Sequence, residues 1–169
     1  AFWYRRTFRV KGDVPPVAVL KVPKAAYGAR VFLNGAPLGE HLPSFTPGYF
    51  DARPALRGKG AVNELVVRVG ASREALPPTV ASGWDYEKVR YIPGIFDSVE
   101  LILSGTPHFT QVQTAPDISA RTVRVQAVLR NDGEPAQVAI AFVVREAKSG
   151  REVGRLATQL ESLAKGAET

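Results

Sequence analysis

Three observations predict an all-β fold for this chain. Apolar residues recur at every second position in several short runs, Asn-Gly, Asp-Gly and Gly/Pro-rich turns separate those runs, and no well-patterned long helix appears. Many short strands with such turns imply a sandwich, a jelly roll, or two of these in tandem.

The first run places Phe2, Tyr4, Phe8 and Val10 on one parity and Trp3, Arg5, Thr7 and Arg9 on the other, the pattern of a half-buried strand. Val17 to Val22 forms a short apolar strand. Ala29, Val31 and Leu33 then alternate up to Asn34-Gly35, a pair that readily takes the positive φ angles of a type I′ hairpin turn. Glu64 to Val69 reads as a strand closed by Gly70, and Ser98 to Leu103 as another, bounded by Ser104-Gly105-Thr106-Pro107. Between these two, residues 71–92 hold Pro77-Pro78, Gly83 and a dense cluster of aromatic and charged residues, with no sustained periodicity. Long irregular segments in compact domains are more often functional than decorative.

Beyond Pro107, Val123, Val125, Ala127 and Leu129 alternate, Asp132-Gly133 makes a turn, and Val138, Ile140, Phe142 and Val144 alternate again, which predicts a long hairpin. A turn at Lys148-Ser149-Gly150 leads to Val153, Leu156 and Leu160, where the pattern blurs. The small residues and proline at 104–108 mark the domain boundary, giving a domain over 1–105 and a second one, expected to be incomplete, over 106–169. There is no convincing internal repeat and no low-complexity tract.

Composition narrows the function classes. The chain has 169 residues, 45% of them hydrophobic, enough for a folded core. With no cysteine, a disulfide framework, a thiolate zinc site and a cysteine nucleophile are excluded, and the redox compartment stays open. Methionine is absent as well and no signal-peptide pattern precedes Phe2, so the chain reads as a fragment. No stretch approaches the roughly 20 apolar residues of a membrane span, so a soluble chain without membrane partners is expected. The net charge of +6 suits acidic partners such as nucleic acid, anionic sugars or lipid headgroups. Its densest group, Arg5, Arg6 and Arg9, sits in an alternating strand, where a solvated face is favoured over a binding patch, and nucleic acid is not the expected partner.

Among individual residues, Asp85 and Glu87 are the best internal candidates for a carboxylate pair, since their spacing puts both on one side of an extended segment. A solvated loop pair is the favoured reading, because neither gains a general acid's raised pKa unless something buries it. Trp84 and Tyr86 are flat, amphipathic side chains suited to stacking on a sugar ring, or to packing the loop against the sandwich. Trp3 is expected to be buried at a domain interface. His41 and His108 make a poor metal set, and Asp51 and Asp97 read as turn or capping residues. No metal or other cofactor is expected. Without a Gly-rich phosphate loop or a nucleophile elbow, phosphoryl transfer and serine-hydrolase chemistry have no support.

Five pieces of the chain, in order, resemble the N-terminal part of glycoside hydrolase family 2, the β-galactosidases, β-glucuronidases and β-mannosidases. They are Trp3-Tyr4-Arg5-Arg6-Thr7-Phe8, Arg30-Val31-Phe32-Leu33-Asn34-Gly35, Phe45-Thr46-Pro47-Gly48-Tyr49-Phe50-Asp51, Asn63-Glu64-Leu65-Val66-Val67-Arg68-Val69 and Pro93-Gly94-Ile95-Phe96-Asp97-Ser98-Val99-Glu100-Leu101. Val128-Leu129-Arg130-Asn131-Asp132-Gly133 is similar to a stretch of that family's immunoglobulin-like domain. The resemblance implies a jelly-roll (galactose-binding-like) β-sandwich followed by part of an immunoglobulin-like β-sandwich.

In that family two carboxylates on a (β/α)8 barrel cleave O-glycosidic bonds with retention. The barrel needs about 250 residues, so the resemblance implies a non-catalytic chain, inactive alone, that supports a barrel on the same parent chain and helps bind carbohydrate. It also implies that the segment before Gly94-Ile95-Phe96 reaches the barrel's mouth, with Asp85, Glu87 or Lys88 hydrogen-bonding substrate hydroxyls beside Trp84 and Tyr86. The family's aromatic-Arg pair is replaced here by Val89-Arg90-Tyr91. A free-standing carbohydrate-binding module is the alternative reading, and a spacer or dimerisation surface a third. The sugar, the linkage and homo-oligomerisation stay open, as does the compartment, with which a periplasmic or secreted parent is compatible.

Overall fold

In the computed structural model, which describes residues 1–80, 92–159 and 161–169, the alternating runs fold as antiparallel strands. They fall into two units, Ala1–Ser104 and Gly105–Thr169. Among the described residues no helix is long and apolar enough to cross a membrane.

The first unit contains β1 (Phe2–Arg9), β2 (Val17–Val22), β3 (Ala25–Ala26), β4 (Ala29–Leu33), β5 (Ala36–His41), β6 (Gly48–Asp51), β7 (Val62–Val69), β8 (Gly94–Ile95) and β9 (Glu100–Ser104). A four-stranded sheet has the order β1-β7-β4-β5, a three-stranded sheet the order β6-β2-β9, and β3 pairs with β8 in a short ribbon. Period-2 alternation aims Ala29, Val31 and Leu33 of β4 and Leu65, Val67 and Val69 of β7 inward, where they share one core with Leu20 and Val22 of β2 and Phe50 of β6. The all-β expectation holds, with two sheets contributing to that core.

The predicted hairpin forms between β4 and β5, with Asn34 at φ 52° and Gly35 at φ 83°, the positive angles its turn requires. Its turn is also anchored from outside. Asn34 exchanges backbone hydrogen bonding with Glu64, donating N–H to the Glu64 carbonyl at 2.8 Å, while its Oδ1 accepts the Glu64 N–H at 2.9 Å. The Asn34 Nδ2 donates to the Ala55 carbonyl at 2.7 Å and to Oδ1 of Asn63 at 2.8 Å. Asn63 is fully buried, and it also accepts the Arg57 N–H at 2.8 Å and donates to the Arg57 carbonyl at 2.8 Å. Two side-chain amides thus satisfy the polar backbone of the irregular stretch between β6 and β7, which has no ladder to pair with.

Strand β1 departs from expectation. It is the edge of its sheet, and the face predicted to be buried leaves Phe2 49% and Tyr4 42% exposed. Tyr4 and Phe8 line an open apolar cleft of about 530 Å³ with Leu65, Val67 and Leu101. Trp3, expected at a buried interface, is 62% exposed on the opposite face of the strand. Strand β9 begins at Glu100 rather than Ser98, because the Asp97 carboxylate takes the Ser98 N–H at 2.9 Å.

The second unit contains β10 (His108–Asp117), β11 (Thr122–Arg130), β12 (Ala136–Val138), β13 (Ala141–Arg145), β14 (Glu152–Ala157) and β15 (Glu161–Leu163). The predicted long hairpin across Asp132-Gly133 does not form. Instead β11 pairs with β10, a strand without a clear period-2 signature because a bulge lies between Phe109 and Gln111. The second alternating run is split between β12, which pairs with β15, and β13, which pairs with β14. The buried Asn131 redirects the chain. Its Nδ2 donates to the carbonyls of Glu134 at 2.8 Å and Leu163 at 3.0 Å, and its Oδ1 accepts the Gly133 N–H at 3.0 Å and the Thr106 hydroxyl at 3.1 Å. The turn at 148–150 closes the β13–β14 hairpin, where the Glu146 carboxylate accepts the N–H groups of Lys148 and Ser149.

Replacing Asn63 by Ala removes four hydrogen-bonding positions at a buried site and strands the Arg57 N–H and carbonyl. The expected loss of stability is about 3 kcal/mol, read as a lower midpoint in urea with an unchanged slope; a loss below about 0.5 kcal/mol would contradict the role given to Asn63.

Candidate functional site

The predicted site residues Trp84, Asp85, Tyr86, Glu87 and Lys88 lie outside the described residues. The described residues on either side are anchored to the unit. On the N-terminal side the chain leaves β7 through a short 3-10 turn, Arg73–Ala75, and Leu76 is buried. The Arg73 guanidinium donates to three successive carbonyls, Leu76 at 3.2 Å, Pro77 at 3.3 Å and Pro78 at 3.2 Å. This matters because prolines 77 and 78 have no N–H of their own with which to join a ladder.

On the C-terminal side the chain is fastened by the β3–β8 ribbon, Ala25 opposite Ile95 and Ala26 opposite Gly94. Gly94 is closely approached, since a Cβ there would stand 3.2 Å from the Tyr4 hydroxyl. Phe96 follows, donating its N–H to the Lys24 carbonyl at 2.9 Å, and its half-exposed ring packs on Phe45 at a centroid separation of 5.6 Å. Phe45 itself sits at φ 59°, a conformation few non-glycine residues adopt and one that tends to accompany functional loops. Its N–H is anchored to the Ala25 carbonyl at 3.0 Å, and the neighbouring His41 Nε2 and Thr46 hydroxyl are 2.8 Å apart.

Asp97 completes this frame. Its carboxylate pairs with Lys24 at 3.0 Å and accepts the Ser98 N–H at 2.9 Å. The hydrogen bond from Lys24, followed by that from Ser98, holds the carboxyl below its ordinary range. An acid so readily ionised cannot serve as a proton donor near neutrality, so Asp97 positions the chain. The turn role expected for Asp97 and Asp51 is what they do, Asp51 accepting the Arg53 N–H at 3.0 Å.

Other carboxylates of this unit are also engaged by cations, Glu40 by Arg30, Glu64 by Arg5 and Glu100 by Lys21. Among the described residues no cluster of three His, Asp or Glu side chains is arranged to hold a metal ion. His41 bonds to Thr46, and His108 stands 3.8 Å from the Asp132 carboxylate. Both described flanks are therefore fastened to the sandwich, with the Phe45 and Phe96 rings beside the C-terminal one. The Arg73 fan, the Phe45–Phe96 pair and the Lys24–Asp97 pair carried no sequence signal, because the ribbon that unites the last two is only two residues long in each strand.

No family model matches the chain. Among curated proteins it is 29% identical to the β-galactosidase large subunit of Leuconostoc lactis over 143 residues, which is 81% of this chain and 21% of that protein. Among solved structures, a Bacteroides uniformis β-glucuronidase superposes with a TM-score of 0.72 at 22% identity, covering 99% of this chain and 20% of that one. A glycosyl hydrolase family 2 member from Bacteroides cellulosilyticus gives 0.72 at 22% identity, with 99% and 21% covered. The exo-chitosanase of Amycolatopsis orientalis gives 0.66 at 22% identity, with 99% and 19% covered. The chain spans about a fifth of the length of these proteins.

The frame yields a prediction about pH. A depressed folded-state pKa means that the stabilisation from Asp97 is present above the ordinary carboxylate range and is lost as pH falls through the depressed value. In a carboxyl-carbon NMR titration Asp97 should titrate below the ordinary aspartate range, and Lys24→Gln should move it upward; an unmoved titration would remove Lys24 as the cause. With geometry and comparisons together, the chain has, over the 99% of its length that superposes, the β-sandwich fold found within glycoside hydrolase family 2 enzymes, the family its ordered motifs resemble.

Proposed function

We propose that this chain is the non-catalytic, sugar-binding N-terminal region of a glycoside hydrolase family 2 enzyme of the β-galactosidase or β-glucuronidase type. In this reading residues 1–105 form a jelly-roll domain and 106–169 belong to an immunoglobulin-like domain. Both support a barrel on the parent polypeptide whose paired carboxylates hydrolyse the O-glycosidic bond. The observation that carries the reading is the frame around residues 81–91. Both flanks are fastened, by Arg73 on one side and by the ribbon, Phe96 and Asp97 on the other.

The roles follow from side-chain chemistry. Trp84 and Tyr86 offer flat faces to the apolar side of a sugar ring, Asp85 and Glu87 accept hydrogen bonds from its hydroxyls, and Lys88 donates one. None of them supplies the proton or the nucleophile. The ion-paired state of Glu40, Glu64, Asp97 and Glu100 in the same unit supports a chain without hydrolytic groups of its own.

Two measurements test this. The 169-residue chain alone should release no nitrophenol from aryl β-galactosides or β-glucuronides. In the parent polypeptide, Trp84→Ala should raise KM about tenfold with a smaller change in kcat, as expected for a lost stacking contact worth about 1.5 kcal/mol. Hydrolysis by the chain alone would overturn the non-catalytic reading, and an unchanged KM would remove the loop from the sugar site. Millimolar binding of neutral sugars by the isolated chain, lost on Trp84→Ala, would favour a free-standing carbohydrate-binding module.

A further inference from the structure

The outer face of the four-stranded sheet carries a feature that the loop at 84–88 does not explain. Register places Trp3 of β1 opposite Arg68 of β7, Arg68 opposite Arg30 of β4, and Arg30 opposite Glu40 of β5, so one row of side chains crosses all four strands. Neighbouring strands are about 4.8 Å apart, which puts two guanidinium groups side by side on the sheet. Like charges directly opposite are unfavourable unless something neutralises them. Glu40 neutralises only one, its Oε2 accepting Arg30 Nε at 3.0 Å and Nη2 at 2.7 Å. Arg68, half-buried, has no hydrogen bond or ion pair among the described residues.

Two further observations bear on what the row could hold. A cleft of about 220 Å³ opens at this end of the sheet, lined by Arg68, Arg30, Glu40 and Tyr27 together with Gly28 and Gly70. Beside Arg68 on its other flank, Trp3 is 62% exposed, with its ring 6.3 Å from that of Phe32 in the next row. A large, flat, exposed aromatic next to an unpartnered arginine is a pairing typical of contact surfaces rather than of solvated strands.

We propose that this row is a binding surface for a carboxylated glycan, a chain of uronic acid residues. The Arg68 fork takes the carboxylate in two parallel hydrogen bonds, a geometry a planar guanidinium matches and a lysine does not. The Arg30–Glu40 pair meets ring hydroxyls, Arg30 donating and Glu40 accepting, while Trp3 stacks on the apolar face of the adjoining sugar. Glu40 decides between acidic partners. An acceptor-only carboxylate needs donors, which a sugar's hydroxyls supply and a nucleic-acid phosphodiester backbone does not. The Arg5–Glu64 pair likewise removes a cation that a phosphate backbone would use. This surface goes beyond the proposed enzyme role and its test reads binding, not hydrolysis.

The test is titration calorimetry of the intact chain with tetragalacturonate, against a neutral galactotetraose and a single-stranded DNA oligomer of equal charge. Tetragalacturonate alone should bind, more weakly as salt rises. Arg68→Gln should reduce affinity about tenfold or more, Arg68→Lys should lose part of it by keeping charge without the fork, and Trp3→Ala should weaken it several-fold. Lys59→Gln, which removes an exposed charge paired with Asp13, should leave it unchanged. Near-ultraviolet circular dichroism confirms that each variant is folded. No binding of tetragalacturonate at millimolar concentration would overturn the proposal. So would stronger binding of the DNA, or an equal loss in Lys59→Gln and Arg68→Gln, which would mean attraction by net charge alone.

Discussion

A buried amide side chain offers two donors and two acceptor positions without a charge to neutralise, which makes it the cheapest way to tie irregular backbone into an apolar core. Asn63 does this in the first unit. It joins the loop after β6 to the β4–β5 turn through Asn34, and Asn34 in turn binds both backbone groups of Glu64. Everything on the four-stranded sheet follows from that tie, because β7 is the central strand against which β1 and β4 set their registers. A slip of one residue would turn the inward set of β7 outward and bring Arg68 into the core. The second unit uses the same device at Asn131, which binds side-chain and backbone groups from both ends of its own segment.

The flanks of the candidate loop are tied to the same framework. The chain leaves β7 at the end of the strand that Asn63 secures, turns through Arg73, and returns at the β3–β8 ribbon beside Lys24 and Asp97. Rigid elements bearing a loop are the usual arrangement for binding sites on sandwiches, since the scaffold absorbs the ordering cost in advance. Among the described residues Glu40, Glu64, Glu100 and Asp97 of this unit pair with cations, and the Lys24 and Ser98 hydrogen bonds hold the Asp97 carboxyl below its ordinary range.

Opposite charges on exposed strands are commonly matched, so an unmatched arginine on a sheet is informative only where its neighbours are accounted for. On the outer face Arg5 and Arg30 have glutamates and Arg9 donates to the Gly60 carbonyl. Among the described residues Arg68 alone of that set has none, between an exposed Trp3 and a cleft. The outer face of the sheet thus combines partnered arginines at Arg5, Arg9 and Arg30 with one open position at Arg68.

Much of the first unit was legible from residues. Alternation marked β1, β2, β4 and β7, Asn34-Gly35 marked its turn, and the ordered motifs marked the family whose fold the chain has. These are local signals, carried by side-chain period and by the φ angles that a few residue types tolerate. The second unit was less legible, because alternation at 123–129 and 138–144 states that strands exist but not which strands pair. Partner choice there rested on Asn131 and on a bulged β10, both non-local. The same limit hid the Arg73 fan, the Phe45–Phe96 contact and the isolation of Arg68, for each depends on residues brought together from separate strands and loops. Sequence alone determined which segments are strands and where they turn; tertiary structure decided which edges stay open, which charges go unmatched and what frames the loop, because those are properties of neighbours distant along the chain.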